Sequence, residues 1–283
     1  MIIDKWERGD VAFNTTVNFG GASRMNHVFE MKNITWLRDG KKVLSDINWS
    51  AEVGQHWALF GLNGSGKTTL LNMLNGYIWP TTGEINVLGH RFGDVDLREL
   101  RKSIGWVSSS LQEKLHGGDK AQNLVVSGKY ASIGLYDKPS EEDYERAMML
   151  MKQLRCGHLI DRSYVTCSQG EQQKLLIARA LMSSPRLLIL DEAANGLDFI
   201  SKEELLDSID ELAHQNHAPH MLYVTHHTEE ILPIFTHTLL LHQGEVFMSG
   251  LTRDVLNEEC LSEFFELPVD VSWKNDRASL SKK

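Results

Sequence analysis

At 283 residues, 42% hydrophobic and 24% charged, the chain has ordinary globular composition and room for one large domain or a core with a satellite lobe. Its formal charge of -9, with Lys and Arg dispersed among Asp and Glu, argues against a sequence-independent grip on nucleic acid, so no nucleic-acid partner is expected. No run approaches the roughly 18 apolar residues of a membrane-spanning helix, and the three cysteines (Cys156, Cys167 and Cys260) follow no disulfide or zinc spacing. With no signal-peptide pattern at its start, the chain is expected in the cytoplasm.

Residues 1–26 are rich in Asn, Thr and Gly and without period, so they read as a disordered extension ahead of a domain spanning 27–250. Segments carrying Ile34, Trp36, Val43, Ile47 and Trp49 then flank Asp39-Gly40, a hairpin signal because Gly tolerates positive φ. This predicts an antiparallel β layer. His56 to Phe60 is a short apolar strand, followed by the glycine-rich Gly61 to Gly66 and a helix through Leu70, Leu71 and Leu74 that Gly76 terminates. Further strands are expected at Gly83 to Gly89 and Ile104 to Ser108.

Helical patterns dominate about 110–170 and predict a separate subdomain, with Ser140 as the cap of a helix whose Tyr144, Ala147, Leu150, Met151 and Leu154 share a face. The pattern continues as helix Gln172 to Met182, strand Leu187 to Leu190, helix Ser201 to His214 and strand Met221 to Thr225. Ser201 and Glu204 have capping-box spacing. Thr238 to Leu241 suits a buried strand, and 251–283 is expected as a helical tail. Strands alternating with helices, several apolar on both faces, predict an α/β fold with a mostly parallel core sheet covered on each side. There is no internal repeat.

Two motifs carry chemistry directly. Gly61-Leu62-Asn63-Gly64-Ser65-Gly66-Lys67-Thr68 fits the phosphate-binding loop G-x-x-x-x-G-K-[ST] between a strand and a helix, with Thr69 following. Glycines let the backbone N–H groups converge on phosphate oxygens, and the helix that starts near Lys67 adds its positive dipole end. Lys67 is expected on the β- and γ-phosphates of ATP and Thr68 on Mg²⁺. The apolar strand Leu187 to Leu190 ends in Asp191 and Glu192, at the carboxyl edge where α/β sheets bind ligands. Asp191 is the candidate metal ligand and Glu192 the group that polarises the attacking water.

Upstream of Asp191 lies Cys167-Ser168-Gln169-Gly170-Glu171-Gln172-Gln173-Lys174, followed by Ile177-Ala178-Arg179-Ala180-Leu181. It resembles the signature L-S-G-G-Q-x-Q-[RK] of the ABC (ATP-binding cassette) ATPases, and with it the order of motifs from about Phe29 to Gly250 resembles that superfamily. The resemblance implies a P-loop nucleotide-binding domain that works as a dimer, with two ATP sites between its subunits. Ser168 and Gly170 would then contact the γ-phosphate held by the other subunit. Asn195-Gly196-Leu197-Asp198 is similar to the family's D-loop, whose Asp connects the two sites, and His226 matches the switch histidine on the γ-phosphate.

The departures are informative as well. The signature carries Cys167, Gln169 and Glu171 where Leu, Gly and Gln are commonest. Ser108-Ser109-Ser110 stands where the family has its lid glutamine, and Gln112 is the nearest one. Arg38 falls where an aromatic ring stacks on adenine, a role a guanidinium can also take. These variants look most like bacterial molybdate-transport-like or photorepair-like ABC proteins.

Two readings of function follow. One is the ATP-hydrolysing subunit of a transporter, peripheral on the cytoplasmic face of the membrane and partnered by a second ABC domain and a membrane permease. The other is a soluble ABC ATPase with a regulatory or repair-type role. A non-hydrolysing sensor is disfavoured because Lys67, Asp191, Glu192 and His226 are all present.

Overall fold

The structure, a computed structural model, describes residues 26–283 apart from 109–111, 113–114, 116–117 and 131–137. The extension expected over 1–26 therefore lies, except for Asn26, outside the described residues, as do Ser109 and Ser110.

Asp39 and Gly40 take φ of 50° and 77°. That paired left-handed geometry matches the twist of flanking strands, and it joins β1 (His27–Arg38) to β2 (Lys41–Glu52). β1 also pairs antiparallel with β4 (Thr82–Val87), which pairs with β5 (His90–Arg91), completing the expected β layer.

The second sheet has the order β10-β9-β3-β8-β7-β6. In it β3 (Trp57–Phe60), β6 (Ile104–Val107), β7 (Leu187–Asp191), β8 (His220–Thr225) and β9 (His237–His242) run parallel, and β10 (Glu245–Leu251) closes one edge antiparallel. Successive side chains of a strand face opposite ways, so each buried strand feeds two cores. Phe60, Leu188, Leu190 and Tyr223 enter the core shared with the helical lobe. Leu59, Leu187, Ile189 and Leu222 enter the core beneath the antiparallel layer.

α1 (Lys67–Leu74) buries Leu70, Leu71 and Leu74 in that second core. α2 (Leu97–Lys102) precedes β6, and the lobe is built from α3 (Ala121–Ser127) and α4 (Glu141–Gln153) packed on α5 (Gln169–Leu181). Ser140 caps α4, as expected, and does so in a reciprocal box with Asp143. Almost every side chain of α5 from Gln173 to Leu181 is buried, so this helix bridges lobe and sheet.

Two expectations are corrected. α6 (Phe199–Ala213) begins two residues before its expected cap Ser201, because Asp198 accepts hydrogen bonds from Ser201 N at 3.0 Å and Ser201 Oγ at 2.7 Å. Asp198 thus takes the N-cap position that the Ser201/Glu204 spacing suggested for Ser201, and Glu204 pairs with Lys174 Nζ at 3.0 Å. The 251–283 segment is not a helical tail. After α7 (Thr252–Val255) and α8 (Glu258–Phe264) it forms a hairpin of β11 (Val269–Lys274) and β12 (Arg277–Lys282). Asn275 and Asp276 turn it with φ of 52° and 57°, and the alternation Val269, Val271, Trp273 sets the facing pattern.

Candidate active site

β3, β7 and β8 end in register, with Phe60 opposite Thr225 and Leu190 opposite Tyr223. The segments that follow them, the phosphate loop, the acid pair and His226, therefore emerge together at the carboxyl edge of the sheet.

Local backbone chemistry shapes the loop. Gly64 and Gly66 take φ of 81° and 107°, and a Cβ on Gly66 would come 2.8 Å from Leu44 Cδ2. Gly61 is equally constrained, since a Cβ there would sit 2.6 Å from the Leu241 carbonyl oxygen. Gly66 is the N-cap of α1 and makes no side-chain cap, so the helix's first N–H groups are left for an anion. Lys67 curls back along the loop and donates to the Gly61 carbonyl at 2.7 Å and the Leu62 carbonyl at 3.2 Å. Ser65 Oγ is buried without a hydrogen-bond partner among the described residues.

Glu192 Oε1 lies 3.8 Å from Lys67 Nζ and 3.4 Å from His226 Nδ1. Glu192 itself adopts φ of 51°, while its N–H donates to the Val224 carbonyl at 2.9 Å and extends the β7–β8 ladder. A left-handed non-glycine residue at this place is the kind of backbone strain that clusters at functional sites. Asn195 Nδ2 sits 3.5 Å from Glu192 Oε2, a contact the sequence reading of the Asn195–Asp198 stretch did not anticipate.

A cleft of about 1100 Å³ opens over the loop and is lined by Asn63, Gly64, Gly66, Lys67, Thr68, Thr69, Asp191 and Glu192. Gly61, Leu62 and Ser65 belong to the loop but do not line the cleft. Ser168, Gly170 and Asp198 do not line the cleft; they gather elsewhere, where a Cβ on Gly170 would meet Ser201 Cβ at 3.0 Å. Ser168 caps α5, and Glu171 closes the box by accepting from Ser168 N at 2.7 Å.

Arg38 is not brought to the cleft either. It ends β1 with its side chain 73% exposed and its Nε 3.9 Å from Asp39, and Val43 lines the cleft instead. Gln112 also stays away, bonded to Gln172 and Gln173 of α5 at 3.1 Å each.

Electrostatics in the cleft oppose one another. Burial pulls the Lys67 ammonium down from its ordinary value, against the Glu192 and Asp191 carboxylates. Burial, reinforced by Glu192 and only partly offset by Lys67, pushes the Asp191 carboxyl up to about 6. The folded chain therefore holds this proton more tightly than the unfolded chain, whose Asp titrates near 3.9, and the fold loses stability as pH rises from about 4 through about 6. Asp191→Asn removes the charge. Without nucleotide or divalent cation at pH 7.5, it is expected to stabilise the chain by about 2 kcal/mol, a Tm rise of a few degrees in thermal denaturation. An unchanged or lowered Tm would contradict the desolvated charge.

A glycine cradle with a lysine, a paired acid and a histidine, set at the ends of parallel strands, defines a nucleoside-triphosphatase of the phosphate-loop class. The ABC transporter family matches residues 44–195. An ABC transporter ATP-binding protein of Bacillus subtilis, YlmA, is 52% identical over 90% of this chain and 97% of its own length. The molybdate import ATP-binding protein MolC of Haemophilus influenzae is 30% identical over 87% of this chain and 90% of its own. A dimeric bacterial ABC transporter cassette shares the fold, with a TM-score of 0.67 at 24% identity over 79% of this chain and 98% of its own. The chain belongs to the ABC transporter ATP-binding family. It is the ATP-binding, ATP-hydrolysing component of such a transporter. Among the described residues, no helix is long and apolar enough to cross a membrane.

Proposed function

We propose that two copies of this chain close on two ATP molecules, each gripped by the phosphate loop of one copy and the Ser168–Gly170 helix end of the other. Hydrolysis reopens the pair at the cytoplasmic face of the membrane and drives a permease subunit. The observation behind this reading is that Ser168, Gly170 and Asp198 cluster together yet contribute nothing to the cleft of their own chain. A second copy supplies the missing wall.

Within each site the roles follow from position. Lys67 and the α1 N-terminus balance the charge that gathers on the γ-phosphate. Glu192 accepts a hydrogen bond from the attacking water and orients it in line. His226, 3.4 Å from Glu192, contacts the γ-phosphate and holds that carboxylate in place. Thr68 and Asp191 offer the hard oxygen donors that suit Mg²⁺. Mg²⁺ held by these two side chains would supply positive charge to offset that of the phosphates.

The test is phosphate release by the purified chain over a range of protein concentrations with Mg²⁺ and saturating ATP. Activity per chain is expected to rise with concentration and then level off as pairs form. A constant specific activity from a chain that light scattering shows to be unpaired would overturn the shared site.

A further inference from the structure

The C-terminal hairpin lies beyond the residues that define the family, yet it touches the catalytic apparatus. β12 packs against the turn Thr228–Glu230, which begins two residues after His226. Arg277 opens β12 and makes three hydrogen bonds there. Its Nε donates to the Glu229 carbonyl at 2.6 Å, and its Nη atoms donate to both carboxylate oxygens of Glu203 on α6 at 2.5 and 2.9 Å. The guanidinium in turn holds the Glu203 carboxyl below its usual range.

Arg277 thus straddles two elements of the proposed site. Glu203 belongs to the helix capped by Asp198, and Glu229 belongs to the turn that leaves His226. That turn is fixed from beneath as well. Buried Glu230 accepts from Thr225 Oγ1 at 2.6 Å and from the Tyr223 hydroxyl at 3.2 Å, while His227 N donates to Thr225 Oγ1 at 3.0 Å. The backbone on both sides of His226 is pinned, and from outside the central sheet Arg277 ties the turn through three hydrogen bonds beside Lys202 of α6, whose Nζ lies 3.8 Å from both Glu229 Oε1 and Glu230 Oε1. A planar, bidentate guanidinium is suited to that task, since it fixes direction as well as distance.

We propose that Arg277 is a positioning residue for ATP hydrolysis, tying the His226 turn to α6 so that the imidazole stays beside Glu192. The inference rests on the role given to His226 above. It makes the C-terminal hairpin part of the motor: a partner or modification that lifts β12 off the turn slows hydrolysis without blocking the phosphate loop.

The test compares kcat and KM for ATP in the full chain carrying Arg277→Ala, with activity counted per nucleotide-binding site. A displacement of about 1 Å at a reacting group costs up to roughly 100-fold, so kcat is expected to fall by about tenfold or more while KM moves less than about twofold. Glu203→Gln, which weakens the same clamp at the edge of α6, should shift kcat in the same direction by less and serves if Arg277→Ala fails to fold. Arg253→Ala is the control, because Arg253 grips the hairpin through Asp276 and the Trp273 ring without reaching the turn. It should lower Tm and leave kcat intact. Equal kcat losses in Arg253→Ala and Arg277→Ala, or a folded Arg277→Ala chain with wild-type kcat, would overturn the proposal. An active His226→Ala chain would instead sink the reading of the site itself.

Discussion

A Glu192→Gln chain is expected to bind ATP, pair, and then stall, with hydrolysis reduced by about 100-fold or more. The substitution keeps shape and volume, so the β7–β8 ladder and the left-handed turn at this position should survive. What is lost is the negative oxygen that lies 3.8 Å from Lys67 Nζ and 3.4 Å from His226 Nδ1. Without it the attacking water has no acceptor for its proton. Removing the carboxylate also relieves repulsion toward the triphosphate, so the closed pair should outlast that of the wild-type chain. Gel filtration with ATP and Mg²⁺ should show a dimer, and phosphate release should be close to background. A chain that elutes as a monomer under those conditions would remove the main support for closure.

The second large effect is one of complementation. Lys67→Ala destroys the cationic side of the cradle, and Ser168→Ala strips the helix end offered to the partner, so each variant alone is expected to be nearly inactive. Ser168→Ala also removes the α5 cap, at a cost to stability of about 1 kcal/mol, which thermal denaturation can register separately. Mixed in equal amounts, the two should form hybrids in which one site draws only on intact parts. With random pairing, half of the dimers carry one working site of two, so activity should recover to about a quarter of wild type. A mixture no more active than its components would mean that each chain completes its own site.

Much of the site was legible because its residues are consecutive. Gly61 to Thr68 and Leu187 to Glu192 are linear strings whose flanking elements can be read from the same residues. His226 was placed only by the strand before it. What escaped reading depended on contacts between distant segments. Asp198 displaced Ser201 as the α6 cap because a short carboxylate three residues ahead reached the same N–H. Gln112 was judged by its distance along the chain from the expected lid glutamine, and the fold turned it toward Gln172 and Gln173. The position of Arg38 in the sequence fixes only its backbone site, and its side chain lies in solvent. The C-terminal hairpin was missed for a local reason: its two-residue turn is Asn275-Asp276 without glycine, and Arg277 gains its meaning only from Glu203 and Glu229.

The alternating strands also set how different parts of the molecule fluctuate. Leu59, Ile189 and Leu222 are each packed on one face of a sheet whose other face is equally filled, and their strands have hydrogen-bonded neighbours on both sides. Their amide protons can reach solvent only when the whole chain opens, so deuterium uptake there should report global stability. The amide ladder from Gln112 to α5 is partly exposed and should open on its own, much sooner. The strands beneath the phosphate loop are therefore the last region to yield, and the contact between Gln112 and α5 is among the first.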